Sequence, residues 1–110
     1  MKAINTEHRT GHVRIERPDR MSNIENSVGW GEVVAIAPDR KGRTAINVLT
    51  STGVFVVRGF DGNIITAWVA SKAQAKDVWK RATGNDELPA WLWEKVKNNS
   101  KIAEQINVAA

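Results

Sequence analysis

Two histidines, His8 and His12, are the side chains of this chain best suited to acid–base chemistry near neutral pH. Their spacing of four residues would place both on one face of a helix, which is also the spacing of a helical metal site. However, Gly11 lies between them, and no third ligand is near. We therefore predict no metal and no cofactor. The alternative to a catalytic role is that both histidines lie on the surface of an N-terminal arm.

One class of reaction needs few enough groups for this chain to supply them, namely transesterification of RNA. It requires a base and an acid, a cation beside the phosphate, and a hydroxyl group to orient it. The candidate catalytic residues are His12 (or His8), Arg58 and Thr66. Triad hydrolases, nucleotide-dependent enzymes and glycosidases are disfavoured, because the chain has no nucleophile elbow, no Gly-rich phosphate loop and no paired carboxylates on one element.

Positive charge is concentrated in the central segment, residues 40–81. This segment carries eight basic residues against two acidic ones, a balance of +6, whereas the whole chain has a formal net charge of +4. Such a distribution favours a polyanionic partner, nucleic acid before membrane, although solubility alone would also explain it. The predicted nucleic-acid-binding residues are Arg40, Lys41, Arg43, Lys72, Lys76 and Lys80.

Two tryptophans near the C-terminus predict a surface for a protein partner. Trp91 and Trp93 lie two residues apart, so they cannot share one face of a helix. We expect one of them to stay partly exposed, and tryptophan is enriched at binding hot spots. Trp68 and Trp79, in contrast, are predicted to be core residues.

The elements that must position these residues begin with a short helix, which Ser22, Glu25 and Gly29 predict over 22–28. Four runs rich in β-branched residues follow, and the tight turns between them predict an antiparallel meander. We expect helices on only one face of this sheet, because a lone sheet in so short a chain cannot bury both faces. The four strands are predicted over 31–37, 44–51, 53–59 and 63–70.

The C-terminal part of the chain is predicted to be helical. Ser71 and Gln74 have the spacing of a capping box and Gly84 that of a C-terminal stop, so the first helix spans 72–83. A second helical region spans 88–107, with a break at 98–100. The predicted fold class is therefore α+β: a short N-terminal helix, a four-stranded antiparallel meander and two to three C-terminal helices packed on it. We expect a single domain over 1–110, in which 1–20 form an arm or helix.

The composition is that of a globular protein, with 42% hydrophobic and 25% charged residues. The chain has no cysteine, which excludes disulfides, thiol catalysis and zinc–thiolate sites. No segment approaches the run of about 18 apolar residues that a membrane span needs. The N-terminus lacks the apolar core of a secretory signal, so we predict a cytoplasmic protein that contacts no membrane.

Two segments of the chain, SNIENSV and GVFVVRGFDGNIITAW, together with the meander between them, resemble the barnase–EndoU–colicin E5–RelE superfamily of small RNase toxins. The resemblance covers roughly residues 8–71, and it implies a metal-independent endoribonuclease. It also implies an acidic antitoxin or immunity protein that covers the basic face. The positions that it implies are Thr66 on the closing strand, Arg58 on the preceding strand, and His12, Arg14 or Arg17 on the N-terminal element.

The turn between the last two strands decides whether Arg58 and Thr66 share a face of the sheet. A two-residue loop, Asp61-Gly62, would put them on opposite faces, because side chains alternate along a strand. A three-residue loop that includes Phe60 would put them on the same face. The proposed site therefore requires the longer loop or a bulge.

Three functions remain open. The leading hypothesis is a metal-independent ribonuclease of toxin type that cuts RNA by transesterification. The second is a basic nucleic-acid-binding module without catalysis. The third is an adaptor, borne by a phage or plasmid, that binds a protein partner through its Trp91/Trp93 helix.

Overall fold

The computed structural model describes residues 18–40 and 44–108 of the chain. An N-terminal helix, a four-stranded antiparallel sheet and C-terminal helices form an α+β arrangement, which confirms the predicted fold class. The strands lie side by side in chain order, as in the predicted meander. In chain order the elements are α1 (Pro18–Asn23), a π-helical turn (Ile24–Val28), β1 (Val33–Pro38), β2 (Ala45–Thr50), β3 (Val54–Gly59), β4 (Ile64–Val69), α2 (Lys72–Thr83) and α3 (Ala90–Val108).

The first helix begins earlier than predicted. Pro18 is the first residue of α1, a position that tolerates proline because the first N–H groups of a helix have no partner within it. Ser22 consequently lies inside the helix and is not its N-terminal cap. The predicted end is confirmed: Gly29 has a φ of 83°, and its N–H donates to the carbonyl of Ile24 at 2.7 Å.

Helices cover both faces of the sheet, so the prediction that only one face is packed was wrong. α1 and the π-helical turn pack on one face, whereas α2 packs on the other. Four consecutive residues of β3, Val54 to Val57, are buried, which is typical of a strand covered on both sides. The prediction failed because α3 is long enough to contribute to both cores, through Leu92 and Val96 on the α2 side and Ile106 on the α1 side.

The last helix is continuous, and the predicted break at 98–100 is absent. α3 runs through Asn98, Asn99 and Ser100 for 19 residues. The side chain of Asn99 donates to the carbonyl of Thr52 at 2.7 Å, so it stabilises the packed helix and does not compete for its backbone. None of the helices in the described ranges is long and apolar enough to cross a membrane.

The open edge of β4 is covered by side chains from the two ends of the chain. The side-chain amide of Asn107 accepts from the N–H of Val69 at 2.8 Å and donates to its carbonyl at 3.1 Å. Arg20 donates to the carbonyls of Ala67 and Asn107. The bonds to Ala67 and Val69 satisfy backbone groups that an edge strand would otherwise leave unpaired.

The second helix is the element whose limits the sequence predicted best. Ser71 accepts from the N–H of Gln74 at 3.1 Å, and the side chain of Gln74 accepts from the N–H of Ser71 at 3.2 Å. This capping box begins α2, and Gly84 ends it with a φ of 82° in the left-handed region. α2 lies over β1 and β2, so part of the sheet face above β3 and β4 stays open.

Candidate nucleic-acid interface

The hairpin between β3 and β4 has the longer of the two predicted loops. The N–H of Gly59 donates to the carbonyl of Asn63 at 2.8 Å, which leaves three residues, 60–62, in the loop. Arg58 accordingly pairs with Ile64. With this loop and a regular ladder after it, Arg58 and Thr66 would lie on the same face of the sheet.

A bulge in β4 then reverses this outcome. The register shifts between Arg58 and the preceding residue, so that Val57 pairs with Thr66 and one residue of β4, Ile65, is extra. Because opposed residues share a face, Thr66 lies with Val57 on the α2 side, and Arg58 lies with Ile64 on the α1 side. The longer loop and the bulge cancel, and the structure does not bring these two candidate residues together.

The remaining catalytic candidates are placed as follows. Arg58 is half-buried and donates from Nε to the carbonyl of Gly62 at 3.1 Å, and it forms no ion pair with any described residue. His8 and His12 lie outside the described residues. The same is true of Lys41 and Arg43 in the basic loop.

Thr66 is buried in the sheet, with 6% of its surface exposed. Its Oγ1 atom has no hydrogen-bond partner among the described residues, which is uncommon for a buried hydroxyl group. The pairing of the strands places Asn47, Val57 and Thr66 in one row across the sheet on the α2 face. Thr66 therefore lies beside the part of the α2 face, above β3 and β4, that α2 leaves uncovered.

An ion-pair network ties α2 to the first two strands. Asp77 accepts from Arg40 at 2.8 Å through one carboxylate oxygen and from Arg81 at 2.8 Å through the other. Arg81 also donates to the side chain of Asn47 at 2.8 Å and to the carbonyl of Pro38. Most of the N–H donors of Arg81 are thus bonded to other groups of the protein, so the role of this arginine is structural.

The first cleft beside α2, which we term the sheet cleft, opens over β3 and β4. It has a volume of about 230 Å³, and its floor is apolar, with the rings of Phe55 and Trp68 5.2 Å apart and tilted by 31°. Its rim is polar and includes the ion-pair network. The residues that line the sheet cleft are Asp39, Arg40, Asn47, Phe55, Val57, Trp68, Gln74, Asp77 and Arg81.

The second cleft, which we term the lysine cleft, lies on another side of α2, between that helix and the start of α3. Its volume is about 500 Å³. The ammonium group of Lys72 lies over the ring of Trp93, 4.8 Å from its centre, a cation–π contact. The lining residues are Lys72, Lys76, Glu87, Leu88, Ala90 and Trp93.

The lysines of α2 have no acidic partner in the part of the chain that the structure describes. Lys72, Lys76 and Lys80 are exposed, and none of them forms an ion pair there. Their spacing of four residues keeps them on one side of the helix. Asp77, the only acidic residue of α2, is engaged by the arginines on another side. The lysine cleft is consequently lined by two lysines that form no ion pair with a described residue, together with one acidic residue, Glu87.

Of the two tryptophans predicted to bind a partner, one is exposed. Trp91 has 49% of its surface accessible, whereas Trp93 is half-buried in the wall of the lysine cleft. The structure therefore joins Trp93 to two of the predicted nucleic-acid-binding lysines and leaves Trp91 apart from them. Within residues 18–40 and 44–108, no cluster of three or more His, Cys, Asp or Glu side chains could hold a metal ion.

Sequence reasoning missed the network around Arg81, although one signal for it was visible. Asp77 and Arg81 have the i, i+4 spacing of a helical ion pair. Nothing local indicated that Asn47, in an otherwise apolar strand, would meet them across the sheet.

Comparisons with protein-family models, with curated proteins and with solved structures each find no match to this chain. The function therefore has to be inferred from the two clefts themselves.

Proposed function

We propose that this protein binds single-stranded nucleic acid, RNA in the first instance, through the lysine face of α2. The observation that carries the proposal is the lysine cleft, where lysines without an acidic partner among the described residues adjoin the indole of Trp93. Proteins that bind single strands combine a positive groove for the phosphates with aromatic rings on which bases stack. Trp93 is such a ring, and it lies beside Lys72 at one end of the row formed by Lys72, Lys76 and Lys80.

The cation–π contact of Lys72 with Trp93 supports a binding role for the cleft. An ammonium group 4.8 Å from the ring centre holds the indole and the charge side by side before a ligand arrives. A nucleotide that places its phosphate on Lys72 brings its base within reach of the same ring. The open volume of about 500 Å³ is within the range of known ligand clefts.

The experiment is a titration of a labelled single-stranded RNA of about 12 nucleotides, within the span of one single-strand binding site. Binding is measured by fluorescence anisotropy at several salt concentrations. The triple variant Lys72→Gln, Lys76→Gln, Lys80→Gln is expected to lower the slope of log K against log salt by about 2, since each phosphate contact on a single strand contributes about 0.7.

The matched control removes three lysines from α3 with the same change in net charge, namely Lys95→Gln, Lys97→Gln and Lys101→Gln. These side chains are exposed, and they lie outside the lysine cleft. The control is expected to retain the wild-type slope. Equal losses in the two triple variants, or no binding by the wild type, would reject the proposed interface.

RNA cleavage is a second function that we propose for the same protein. The observation that favours it is Thr66, a predicted site residue that pairs with Val57 of the sheet cleft and whose buried hydroxyl has no hydrogen-bond partner among the described residues. The test is incubation of the RNA with the purified chain in EDTA, with His12→Ala and Thr66→Ala beside the wild type. Cleavage that both variants lose would support a metal-independent ribonuclease. Binding without cleavage would leave a nucleic-acid-binding module.

A further inference from the structure

The sheet cleft has the size and floor of a site for one planar ring. Its volume of about 230 Å³ is below the range usual for larger ligands. Phe55 and Val57 form the apolar floor, and the half-buried indole of Trp68 stands beside them. Flat aromatic ligands bind such surfaces by stacking and by burial of apolar area.

The charges of the sheet cleft compensate one another. Two aspartates and two arginines line it, and Asp77 is bonded to both Arg40 and Arg81. A cleft without net charge offers no preference for a phosphate group, in contrast to the lysine cleft. It suits the uncharged part of a nucleotide, the base.

The rim presents donors to a ligand. The Nε2 group of Gln74 makes no hydrogen bond with another described residue, because only its Oε1 takes part in the capping box. Arg40 is 66% exposed at its side chain and uses only Nη1 in its bond to Asp77. Donors at the rim favour a base that carries a ring carbonyl oxygen, such as uracil or guanine. Adenine has no carbonyl oxygen.

We propose that the sheet cleft is a pocket for one unpaired base with a ring carbonyl (guanine, uracil or cytosine, but not adenine) of the RNA whose backbone the lysine cleft binds. This inference extends the proposed function and depends on it for the source of the base. α2 separates the two clefts, and a helix with its side chains is only about 10–12 Å across. One strand that passes over α2 can therefore reach both clefts.

The test uses the full chain and mononucleotides, which are too short to span both clefts. GMP, UMP and AMP are titrated, and the indole N–H signal of Trp68 is followed by NMR after its assignment with Trp68→Phe. We expect GMP and UMP to shift this signal saturably and AMP to bind at least about tenfold more weakly, the effect of one good hydrogen-bond pair. Gln74→Glu replaces the donor and keeps the capping-box acceptor, so it should weaken GMP binding by about tenfold.

Lys72→Gln is the matched control, because it lies in the other cleft. It should leave the GMP shift of Trp68 unchanged while it weakens binding of the RNA. Equal binding of AMP, or a shift of the Trp93 signal alone, would overturn the base pocket. A failure of all three mononucleotides while RNA still binds would reject the pocket and retain the proposed function, whereas loss of RNA binding as well would reject both.

Discussion

The two clefts beside α2 are both lined by charged side chains, yet these side chains have different partners. In the sheet cleft, Asp77 holds Arg40 and Arg81, and Arg81 reaches across to β1 and β2. In the lysine cleft, the ammonium groups of Lys72 and Lys76 meet no carboxylate within bonding distance among the described residues. Paired charges hold two layers of a fold together, and unpaired charges are available to a ligand.

The density of basic residues in a sequence does not by itself locate a binding surface. Residues 40–81 contain eight of the sixteen basic residues, and in the structure some of these pair with Asp77 whereas others are exposed without an ion pair to a described residue. Arg81 was not selected from the sequence, and in the structure it holds α2 to the first two strands. The lysines of α2, which were selected, form no ion pair with any described residue. Each prediction below tests whether this division is correct.

The largest effect is expected for Arg81→Gln, since this arginine donates to three different residues. Its loss removes the donors to one carboxylate oxygen of Asp77, to the buried side chain of Asn47 and to the carbonyl of Pro38. We expect the free energy of unfolding to fall by about 2 kcal/mol, measured by urea denaturation. Arg81 is partly exposed, which keeps the loss below that of a fully buried pair.

Lys80→Gln, one residue earlier in the same helix, is the control for this effect. Its side chain is exposed and unpaired in the described part of the chain, so its stability should change by no more than about 0.5 kcal/mol. Similar losses in the two variants would contradict the distinction between a structural and a ligand-binding side of α2.

Much of the fold could be predicted from local signals. The β-branched runs and the capping box of Ser71 and Gln74 lie entirely within the elements that they specify. The continuity of α3 could not be predicted, because it depends on contacts such as that of Asn99 with Thr52. For the same reason, coverage of the second face of the sheet was not visible: it requires the C-terminal end of α3 to return to the N-terminal helix.

The candidate site could be predicted only in part, for the same physical reason. The lysine row follows from a helical period and needs no knowledge of the tertiary structure. The bulge in β4 has no marker among its residues: Ile64, Ile65 and Thr66 are all ordinary strand formers. One extra residue exchanges the faces of a strand, so the relation of Thr66 to Arg58 was set by a feature without a local signal.

Asp77→Asn should lower the stability of the fold and raise its affinity for RNA. The substitution removes both ion pairs, one of them with the largely exposed Arg40, so we expect a loss of about 1 kcal/mol in urea denaturation. It also frees Arg40 and raises the net charge by one. Affinity for single-stranded RNA at low salt should therefore rise by about twofold, measured by anisotropy.

The matched control for this prediction is Glu94→Gln, which also removes one negative charge. Glu94 pairs with Lys97 at 3.6 Å on the surface of α3 and lines neither of the two clefts. Its stability should stay within about 0.5 kcal/mol of the wild type. An equal gain in RNA affinity from the two variants would mean that total charge, and not the release of Arg40, increases the affinity.

The smallest change in stability, and the one of opposite sign, is expected for Thr66→Val. Valine has nearly the shape of threonine, and the hydroxyl that it removes is buried without a hydrogen-bond partner in ranges 18–40 and 44–108. We expect a gain of up to about 1 kcal/mol in urea denaturation. Thr66→Ala removes buried volume as well and should lose about 1 kcal/mol, which separates the effect of the hydroxyl from that of packing.

A loss of stability in Thr66→Val would mean that the hydroxyl does have a partner in the folded protein. If the variant is more stable but no longer cleaves RNA, the buried hydroxyl serves catalysis at the expense of stability, as functional sites commonly do. If it is more stable and cleaves as the wild type does, Thr66 has no catalytic role. The bulge in β4 places Thr66 on the α2 side of the sheet. The same substitution therefore decides whether Thr66 is a catalytic residue there or only a buried residue of the core.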